Sequence, residues 1–312
     1  MEPELSIAMV FPGQGSQSQG MQADLAVEFP VVKDTYGEAS SVLGYDLWEL
    51  VQDGPAEKLS ETVITQPAML TAGVAAWRVW QQAGGAMPAL MSGHSLGEYT
   101  ALVAASAVEF AAAVSVVKRR AELMQGAVPI GAGALAAILG LDDDVVVAAC
   151  AEAAGDEVAQ AVNFNSPGQV VIAGHKDAIG RAIRIAEEKG ARRAVLLPVS
   201  VPVHSSLMRN AGEQLAESLA ATDFRTPGVT VIAASDAKPY GDAEDIRVRL
   251  SRQVYSPVLW ADTVRAMVAG GATTIIECGP GKVLAGLTRR IDKGVGSAFI
   301  DSPDSLQKAL QA

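Results

Sequence analysis

Apolar residues along this chain form short continuous runs that alternate with longer segments of helical spacing. Leu5 to Phe11 is a compact apolar run followed by Pro12-Gly13-Gln14-Gly15, which predicts a buried strand entering a tight loop. Near the other end, the β-branched run Thr273 to Glu277 predicts another strand, followed by a turn. Strands that alternate with helices in this way indicate a mostly parallel sheet with helices on its faces.

Most other segments outside the middle of the chain show helical spacing. Two further short strands are predicted at Ala89 to Met91 and Val229 to Ala233. Helices are predicted over Met21 to Gln52 with breaks near Pro30 and Gly44, Pro67 to Gln82 as an amphipathic helix, Leu96 to Gln125, His204 to Ala221, Asp242 to Arg252, Trp260 to Ala269 and Val283 to Ile291.

The pattern changes from Ala127 onward, where strand and helix signals follow in the order βαββαβ. The predicted elements are Gly133 to Gly140, Asp142 to Ala154, Val158 to Asn163, Gln169 to Gly174, Asp177 to Lys189 and Arg193 to Val199. This order is that of a ferredoxin-like fold. We therefore expect an inserted subdomain over residues 128–199 within a larger domain of residues 1–127 plus 200–312.

Composition fits a large globular α/β protein. The chain has 312 residues, 49% of them hydrophobic, and a formal net charge of −11, which argues against a general nucleic-acid or anionic-membrane surface. The N-terminal segment shows no basic leader or anchor, so a cytoplasmic location is expected. The two cysteines, Cys150 and Cys278, form no spaced metal or redox motif and are expected to be buried thiols.

The stretch Gly93-His94-Ser95-Leu96-Gly97 fits the G-x-S-x-G elbow, in which a strand turns sharply into a helix and exposes a serine. Glycines two residues either side of Ser95 avoid collisions between backbones in so tight a turn. The free amides at the start of the following helix would face an anion forming on a substrate carbonyl. Ser95 is therefore a candidate nucleophile, and the alternative is a strand-to-helix turn with a capping serine.

A serine nucleophile needs a base, and the chain contains three histidines. His94 adjoins Ser95, where neighbouring side chains point apart, and His175 is expected on the surface. His204 remains as the candidate base, although a lone histidine is commonly a capping or core residue. Because Pro198 to Met208 contains no Asp or Glu, we expect a backbone carbonyl to orient the ring in place of a triad acid.

Arg120 ends the helical stretch that follows the elbow, after Lys118 and Arg119. One interpretation is a solvated basic helix end; the other is an inward guanidinium that binds a substrate carboxylate through two hydrogen bonds. The sequences Gly131-Ala132-Gly133 and Gly279-Pro280-Gly281 lack the context of phosphate-binding loops and are interpreted as turns.

Several stretches together make the chain similar to one family, the malonyl-CoA:acyl carrier protein transacylases of dissociated (type II) fatty-acid synthesis. They occur in order along nearly the whole chain: Phe11-Pro12-Gly13-Gln14-Gly15-Ser16-Gln17, Thr65-Gln66-Pro67-Ala68, Gly93-His94-Ser95-Leu96-Gly97-Glu98-Tyr99, Arg120, Asn163-Phe164-Asn165-Ser166-Pro167-Gly168-Gln169, Pro198-Val199-Ser200 with His204, and Gln253-Val254-Tyr255-Ser256-Pro257-Val258.

The resemblance implies a hydrolase-like α/β domain carrying the ferredoxin-like insertion, and ping-pong transfer of a malonyl group through Ser95 to the phosphopantetheine thiol of acyl carrier protein. His204 would serve as the base, and malonyl-CoA and the carrier protein as substrates, without a cofactor or metal. The remaining site residues implied are the backbone amides of Gln14 and Leu96 as oxyanion hole, Arg120 on the malonyl carboxylate, the backbone carbonyl of Gln253 on the histidine, and Gln66, Asn163 and Asn165 lining the pocket.

Carrier proteins of this kind are strongly acidic, so an acidic enzyme needs a local basic patch to bind them. The candidates are Arg192, Arg193, Lys282, Arg289 and Arg290, with scattered solvated charges as the alternative. The alternative functions are a serine esterase or thioesterase, which shares the elbow, and a catalytically idle binding module. Against the hydrolase, no histidine follows His204, whereas such enzymes place theirs late in the chain.

Overall fold

Two separate sheets organise the protein, and the computed structural model describes residues 4–199 and 201–312. Ten strands are present in these residues: β1 Glu4–Phe11, β2 Pro88–Gly93, β3 Gly133–Leu139, β4 Ala159–Ser166, β5 Gln169–His175, β6 Arg193–Leu196, β7 Thr230–Ala233, β8 Lys238–Pro239, β9 Thr274–Cys278 and β10 Gly296–Ile300.

Fourteen α-helices connect or follow these strands in the same described ranges. They are α1 Ala23–Glu28, α2 Val31–Leu43, α3 Leu47–Asp53, α4 Ala56–Leu59, α5 Thr62–Gln82, α6 Gly97–Ala104, α7 Phe110–Gln125, α8 Asp143–Ala154, α9 Lys176–Glu188, α10 Arg209–Ala220, α11 Ala243–Gln253, α12 Trp260–Ala269, α13 Val283–Ile291 and α14 Pro303–Ala309.

The larger sheet has the strand order β10-β9-β1-β2-β7-β8. All neighbours are parallel except β8, which forms a short antiparallel edge with β7. Apolar side chains on both faces of this sheet are buried against helices, as expected for parallel strands. The predicted fold class, a mostly parallel sheet accompanied by a ferredoxin-like unit, is confirmed.

The smaller sheet is antiparallel, with the order β4-β5-β3-β6. With α8 and α9 between its strands it follows the predicted βαββαβ sequence, and the two helices pack on one face around Ile138, Val146 and Ile179. The proposed domain limits, 1–127 plus 200–312 and 128–199, stay a prediction. Met1 to Pro3 and Ser200 of the Pro198-Val199-Ser200 motif lie outside the described residues.

Several predicted boundaries were wrong. Helix α5 begins at Thr62 rather than Pro67 and so carries a proline inside it, and the helix is buried on nearly all sides instead of amphipathic. The segment predicted as helical from His204 begins its α-helix at Arg209, after a 3₁₀ turn. Strand β6 ends at Leu196 rather than Val199, and the elements α4, β8, β10 and α14 were not predicted.

Strands β1 and β2 end side by side, with Phe11 opposite Gly93. Three glycines let the loops that follow come into backbone contact. A Cβ at Gly93 would lie 1.8 Å from the carbonyl carbon of Gly97, one at Gly97 would lie 2.0 Å from the oxygen of Phe11, and one at Gly13 would lie 2.4 Å from the oxygen of His94. The glycines predicted from the elbow pattern are therefore required by backbone packing, and they fix the position of Ser95.

Replacing Gly93 by alanine should destabilise the protein by more than about 3 kcal/mol, because the new methyl group meets main-chain atoms that cannot rotate away. Gly180→Ala is the matched control, since Gly180 lies inside α9 with no heavy atom within 4 Å of the added Cβ. The control should be neutral or stabilise by up to about 1 kcal/mol. Denaturant unfolding measures both, and equal effects for the two variants would contradict the packing argument.

Candidate active site

Ser95 lies between the end of β2 and the start of α6, at the point where the chain turns back toward the helix. Its φ of 53° is in the left-handed region, which L-residues other than Asn and Asp rarely occupy. The turn is held by a hydrogen bond of 3.0 Å from the His94 N–H to the Phe11 oxygen and one of 3.0 Å from the Gly97 N–H to the His94 oxygen. Strain of this kind is concentrated at functional sites.

His204 meets Ser95 across 109 residues of sequence, with 2.7 Å between its Nε2 and the serine Oγ. Its Nδ1 lies 2.9 Å from the backbone oxygen of Gln253 and 3.0 Å from that of Ser256. Both carbonyl oxygens can only accept, so Nδ1 carries the proton and Nε2 is left free to accept from the serine hydroxyl. This is the tautomer that a general base requires.

The C-terminal end of α11 supplies the groups that hold this histidine. His204 is itself strained, with a φ of 63°, and its N–H donates to the oxygen of Val254 at 3.1 Å. The last carbonyls of a helix have no partner within it and carry its partial negative charge. These carbonyls therefore take the place of a triad acid, and no carboxylate binds the imidazole in the described part of the chain.

Arg120 points inward from α7 and is 1% exposed. Its Nη1 donates to Gln66 Oε1 at 2.6 Å, and its Nη2 donates to Gln253 Oε1 at 2.9 Å and to Ser95 Oγ at 3.2 Å. The Nε of the guanidinium has no partner, and no carboxylate within residues 4–199 and 201–312 forms a salt bridge with it. A buried cation without an anion is costly, so this arrangement favours an anionic ligand beside Ser95.

Two features of the site were missed from the sequence. Glu98, in the first turn of α6, is fully buried and accepts from Gln253 Nε2 at 2.9 Å. The side chain of Gln253 also contacts the site, since its Nε2 donates to the oxygen of Ser95 at 2.9 Å. The sequence signal for Glu98 was a single carboxylate within a mainly apolar helix. No sequence signal indicated that the side chain of Gln253, in addition to its backbone carbonyl, contacts the site.

A cleft of about 410 Å³ opens in front of the serine and histidine. Gln14 and Leu96 lie on its wall beside Ser95, and neither backbone N–H donates a hydrogen bond within the part of the chain that the structure describes. Two free amides next to a nucleophile suit an oxyanion. The other lining residues include both polar and apolar side chains: Gly15, Gln17, Ser60, Gln66, His94, Arg120, Met124, Leu135, Asn163, Val171, Leu197, Pro198, Val199, Val203 and His204.

The other predicted residues lie at different distances from the cleft. Asn163 lines it, but Asn165 is buried behind the wall, where its Oδ1 lies 2.8 Å from Nε2 of His94. Asn165 therefore does not line the cleft, and His94, to which it is hydrogen-bonded, does. His175 is half-buried away from the site, where its Nδ1 accepts from the Val158 N–H at 2.9 Å.

Burial controls the charges in the site. It lowers the pKa of His204 to about 3, and the nearby positive charge of Arg120 adds to this effect. Burial also lowers the pKa of His94. Both rings are therefore neutral at physiological pH. In the same environment, burial raises the pKa of Glu98, while hydrogen bonds from Tyr240 and Gln253 oppose that rise.

No group of three or more His, Cys, Asp or Glu side chains in the described ranges is placed to hold a metal ion. Both cysteines are free and buried, as predicted. Among the described helices, none combines the length and the apolar character needed to cross a bilayer.

Comparison with known proteins gives a consistent result. The family model described as acyl transferase domain matches residues 8–298. The chain is 54% identical over 303 residues to the malonyl CoA-acyl carrier protein transacylase of Salmonella typhimurium, covering 97% of this chain and 98% of that protein.

Two solved structures extend the similarity to three dimensions. The acyl carrier protein S-malonyltransferase of Vibrio cholerae has a TM-score of 0.95 and 54% identity, covering 97% of this chain and 99% of the other. A malonyl transacylase in complex with its type II polyketide-synthase acyl carrier protein has a TM-score of 0.97 and 51% identity, covering 98% and 99%.

The neutral state of His204 predicts an unusual pH profile for Ser95. Because only the neutral ring accepts a proton and burial depresses its pKa from 6.5 to about 3, reactivity should persist as the pH falls through 6.5. Phenylmethylsulfonyl fluoride, an uncharged serine reagent, should modify the enzyme at a nearly constant rate from about pH 8 to about pH 5.

Arg120→Met is the matched variant for this profile. It removes the cation that helps to depress the pKa of His204, so its loss of reactivity should begin at higher pH than in the wild type. A wild-type midpoint near 6.5, or identical profiles for the two proteins, would contradict the electrostatic account.

Proposed function

The chain belongs to the acyl transferase domain family and is a malonyl-CoA:acyl carrier protein transacylase, and from this premise we propose that it works by ping-pong transfer through a malonyl ester of Ser95. The observation that carries the proposal is the surroundings of one oxygen atom. Ser95 Oγ lies 2.7 Å from a neutral imidazole nitrogen on one side and 3.2 Å from a buried, unpaired guanidinium on the other. A base and an anion-binding group thus meet at the same nucleophile.

In the first half-reaction, Ser95 Oγ attacks the thioester carbonyl of malonyl-CoA while its proton passes to Nε2 of His204. The oxyanion of the tetrahedral intermediate accepts hydrogen bonds from the backbone amides of Gln14 and Leu96, each contributing about 3 kcal/mol. Collapse of the intermediate breaks the carbon–sulfur bond, and the leaving CoA thiolate takes the proton from the imidazolium. The carbonyls of Gln253 and Ser256 stabilise that imidazolium while it exists.

Arg120 selects the acyl group in this scheme. In the malonyl ester the carboxylate carbon lies two bonds beyond the ester carbonyl carbon, so the carboxylate takes the place of the free serine hydroxyl as a partner of Arg120. Gln66 and Gln253 hold two of the guanidinium N–H groups in place, which leaves the unpartnered Nε and the remaining Nη hydrogens for the carboxylate. An acetyl group offers no such anion and leaves the cation buried and unpaired.

In the second half-reaction, the phosphopantetheine thiol of acyl carrier protein gives its proton to His204 Nε2, and the thiolate attacks the malonyl ester. Ser95 Oγ leaves and recovers the proton from the imidazolium, which returns the enzyme to its starting state. No step in this scheme calls for a metal or a cofactor, and a cytoplasmic location remains our expectation.

Labelled malonyl-CoA tests the covalent intermediate directly. We expect a stable adduct on Ser95 that disappears when carrier protein is added, and we expect Ser95→Ala to form none. Ser115→Ala is the matched control, because Ser115 is an exposed serine on α7 bonded only to the Ala111 oxygen. Malonylation of the Ser95→Ala variant would overturn the nucleophile assignment.

The same experiment separates the alternative functions. A serine esterase or thioesterase would release free malonate rapidly without carrier protein, and a binding module would form no adduct. The buried guanidinium beside Ser95 favours transfer of a charged acyl group, because neither a hydrolase of neutral esters nor a binding module that forms no adduct needs an anion-binding group at the nucleophile.

The basic residues proposed to bind the carrier protein lie on two parts of the structure, α13 and the smaller sheet. Lys282 precedes α13 and Arg289 and Arg290 end it, and Arg290 Nη1 donates to Gln169 Oε1 at 2.6 Å. Gln169 and Arg193 pair with the same residue, Leu139, from opposite sides. Two strand spacings make about 10 Å, which is the backbone separation between Arg193 and Gln169, the residue that Arg290 binds.

All five candidate residues, Arg192, Arg193, Lys282, Arg289 and Arg290, are exposed, and none forms a salt bridge within the described ranges. The turn before Lys282 lies against the loop that carries Gln14, since a Cβ on Gly281 would be 3.5 Å from the oxygen of Ser16. The patch thus extends from the mouth of the cleft to the smaller sheet. An acidic protein bound there can deliver its prosthetic arm to Ser95.

Arg289→Glu should raise the KM for carrier protein about three- to tenfold while leaving malonyl loading unchanged, because surface charges act on association. Arg289 is preferred to Arg290 because its one hydrogen bond, to the Ser297 oxygen, does not join the two sheets. Lys308→Glu, an equal charge reversal on α14, is the control. An unchanged KM for Arg289→Glu, or an equal rise in the control, would remove the patch from the docking surface.

A further inference from the structure

Glu98 is a buried carboxylate that the transfer scheme leaves without a role. It is 0% exposed and lies three residues after the nucleophile, in the first turn of α6. Three donors point at it: Tyr240 Oη and Gln253 Nε2, at 2.9 Å for the latter, and the Ala234 N–H at 3.3 Å. A group so costly to bury is retained only where it is satisfied, and here each of its oxygens accepts at least one hydrogen bond.

The hydrogen bond to Glu98 decides which way the amide of Gln253 faces. Its Nε2 donates to Glu98 Oε2 and to the oxygen of Ser95, each at 2.9 Å, and its Oε1 accepts from Arg120 Nη2 at 2.9 Å. A rotation of 180° would set the amide nitrogen against a guanidinium and the amide oxygen against a carboxylate and a carbonyl. Glu98 and Arg120 therefore lock the amide from opposite ends.

That locked amide contacts two groups of the site, Ser95 and Arg120. It supports the strained Ser95 turn through the serine carbonyl, and it holds Arg120 Nη2 in the position from which it reaches Ser95 Oγ. Without an acceptor at position 98, the Nε2 group loses one of its two partners and the amide is free to turn. A turned amide would present a donor to the guanidinium and displace it. His204 would be unaffected, because it binds the backbone oxygen of Gln253 rather than the side chain.

We propose that Glu98 is a positioning residue for acyl selection: it fixes the Gln253 amide so that Arg120 is held ready for the carboxylate of the incoming acyl group. The proposal rests on the function proposed above, because it assumes that Arg120 binds the malonyl carboxylate. It separates two properties of the site, since Glu98 governs the choice of acyl group while Ser95 and His204 perform the chemistry.

Glu98→Met tests the proposal, because methionine fills a similar volume and offers only a weak acceptor. Loading of malonyl-CoA and acetyl-CoA is compared, since the two have the same leaving group and differ in the carboxylate. We expect the ratio of their kcat/KM values to fall at least about tenfold, chiefly through a higher KM for malonyl-CoA, with acetyl loading within about threefold of the wild type. A purely structural role would lower both rates together.

Two further variants act as rescue and control. Glu98→Gln keeps an oxygen that can accept from Gln253 Nε2 and an amide that can donate to Tyr240, so it should keep most of the malonyl preference. Tyr240→Phe removes a donor to the opposite oxygen of Glu98 and leaves the bond to Gln253, so it should lower the melting temperature without lowering the ratio. A loss of preference in Tyr240→Phe equal to that in Glu98→Met would overturn the proposal.

Gln253→Met keeps the test decisive if Glu98→Met does not fold. It removes the same amide from the other end and retains the backbone oxygen on His204, so it should reproduce the fall in the malonyl to acetyl ratio. A folded variant of either kind with an unchanged ratio would overturn the positioning role alone. If the wild type itself showed no malonyl preference, the proposed function would fail, and the positioning role would fail with it.

Discussion

The active site depends on the way α11 ends. The oxygens of Gln253 and Val254 at this terminus, together with that of Ser256 in the turn that follows, accept from the ring and the N–H of His204. This contact fixes the tautomer of the base, and the side chain of Gln253 extends it to Ser95 and Arg120. A single helix terminus thus orients the base, supports the nucleophile's turn and positions the cation.

Function has costs that the fold must offset. Ser95 and His204 both have left-handed backbone conformations, each costing on the order of 1–3 kcal/mol, and Arg120 and Glu98 are buried charges that do not pair directly. The parallel sheet, covered on both faces by apolar helices, supplies the stability that keeps these groups in place. The packed surroundings also keep the guanidinium of Arg120 buried, where a cation without a carboxylate partner favours binding of an anion.

Local patterns carried much of the prediction. The elbow around Ser95 could be found because its glycines follow from steric contact, and the mostly parallel sheet and the ferredoxin-like unit followed from the succession of strand and helix signals along the chain. His204 was identified by elimination among three histidines, and the inward direction of Arg120 rested on family resemblance. Glu98 and the Gln253 side chain were missed because their importance arises from contacts over more than 130 residues, which no local pattern encodes.

Strand β1 has a further consequence for how the protein is made. It lies in the middle of the larger sheet, between β2 and β9, but β9 is synthesised some 260 residues later: Ile7 pairs with Thr274. Until β9 has been synthesised, one edge of this apolar strand has no native neighbour. Exposed strand edges promote misassociation, so the risk of aggregation during synthesis ends only when β9 has paired with β1.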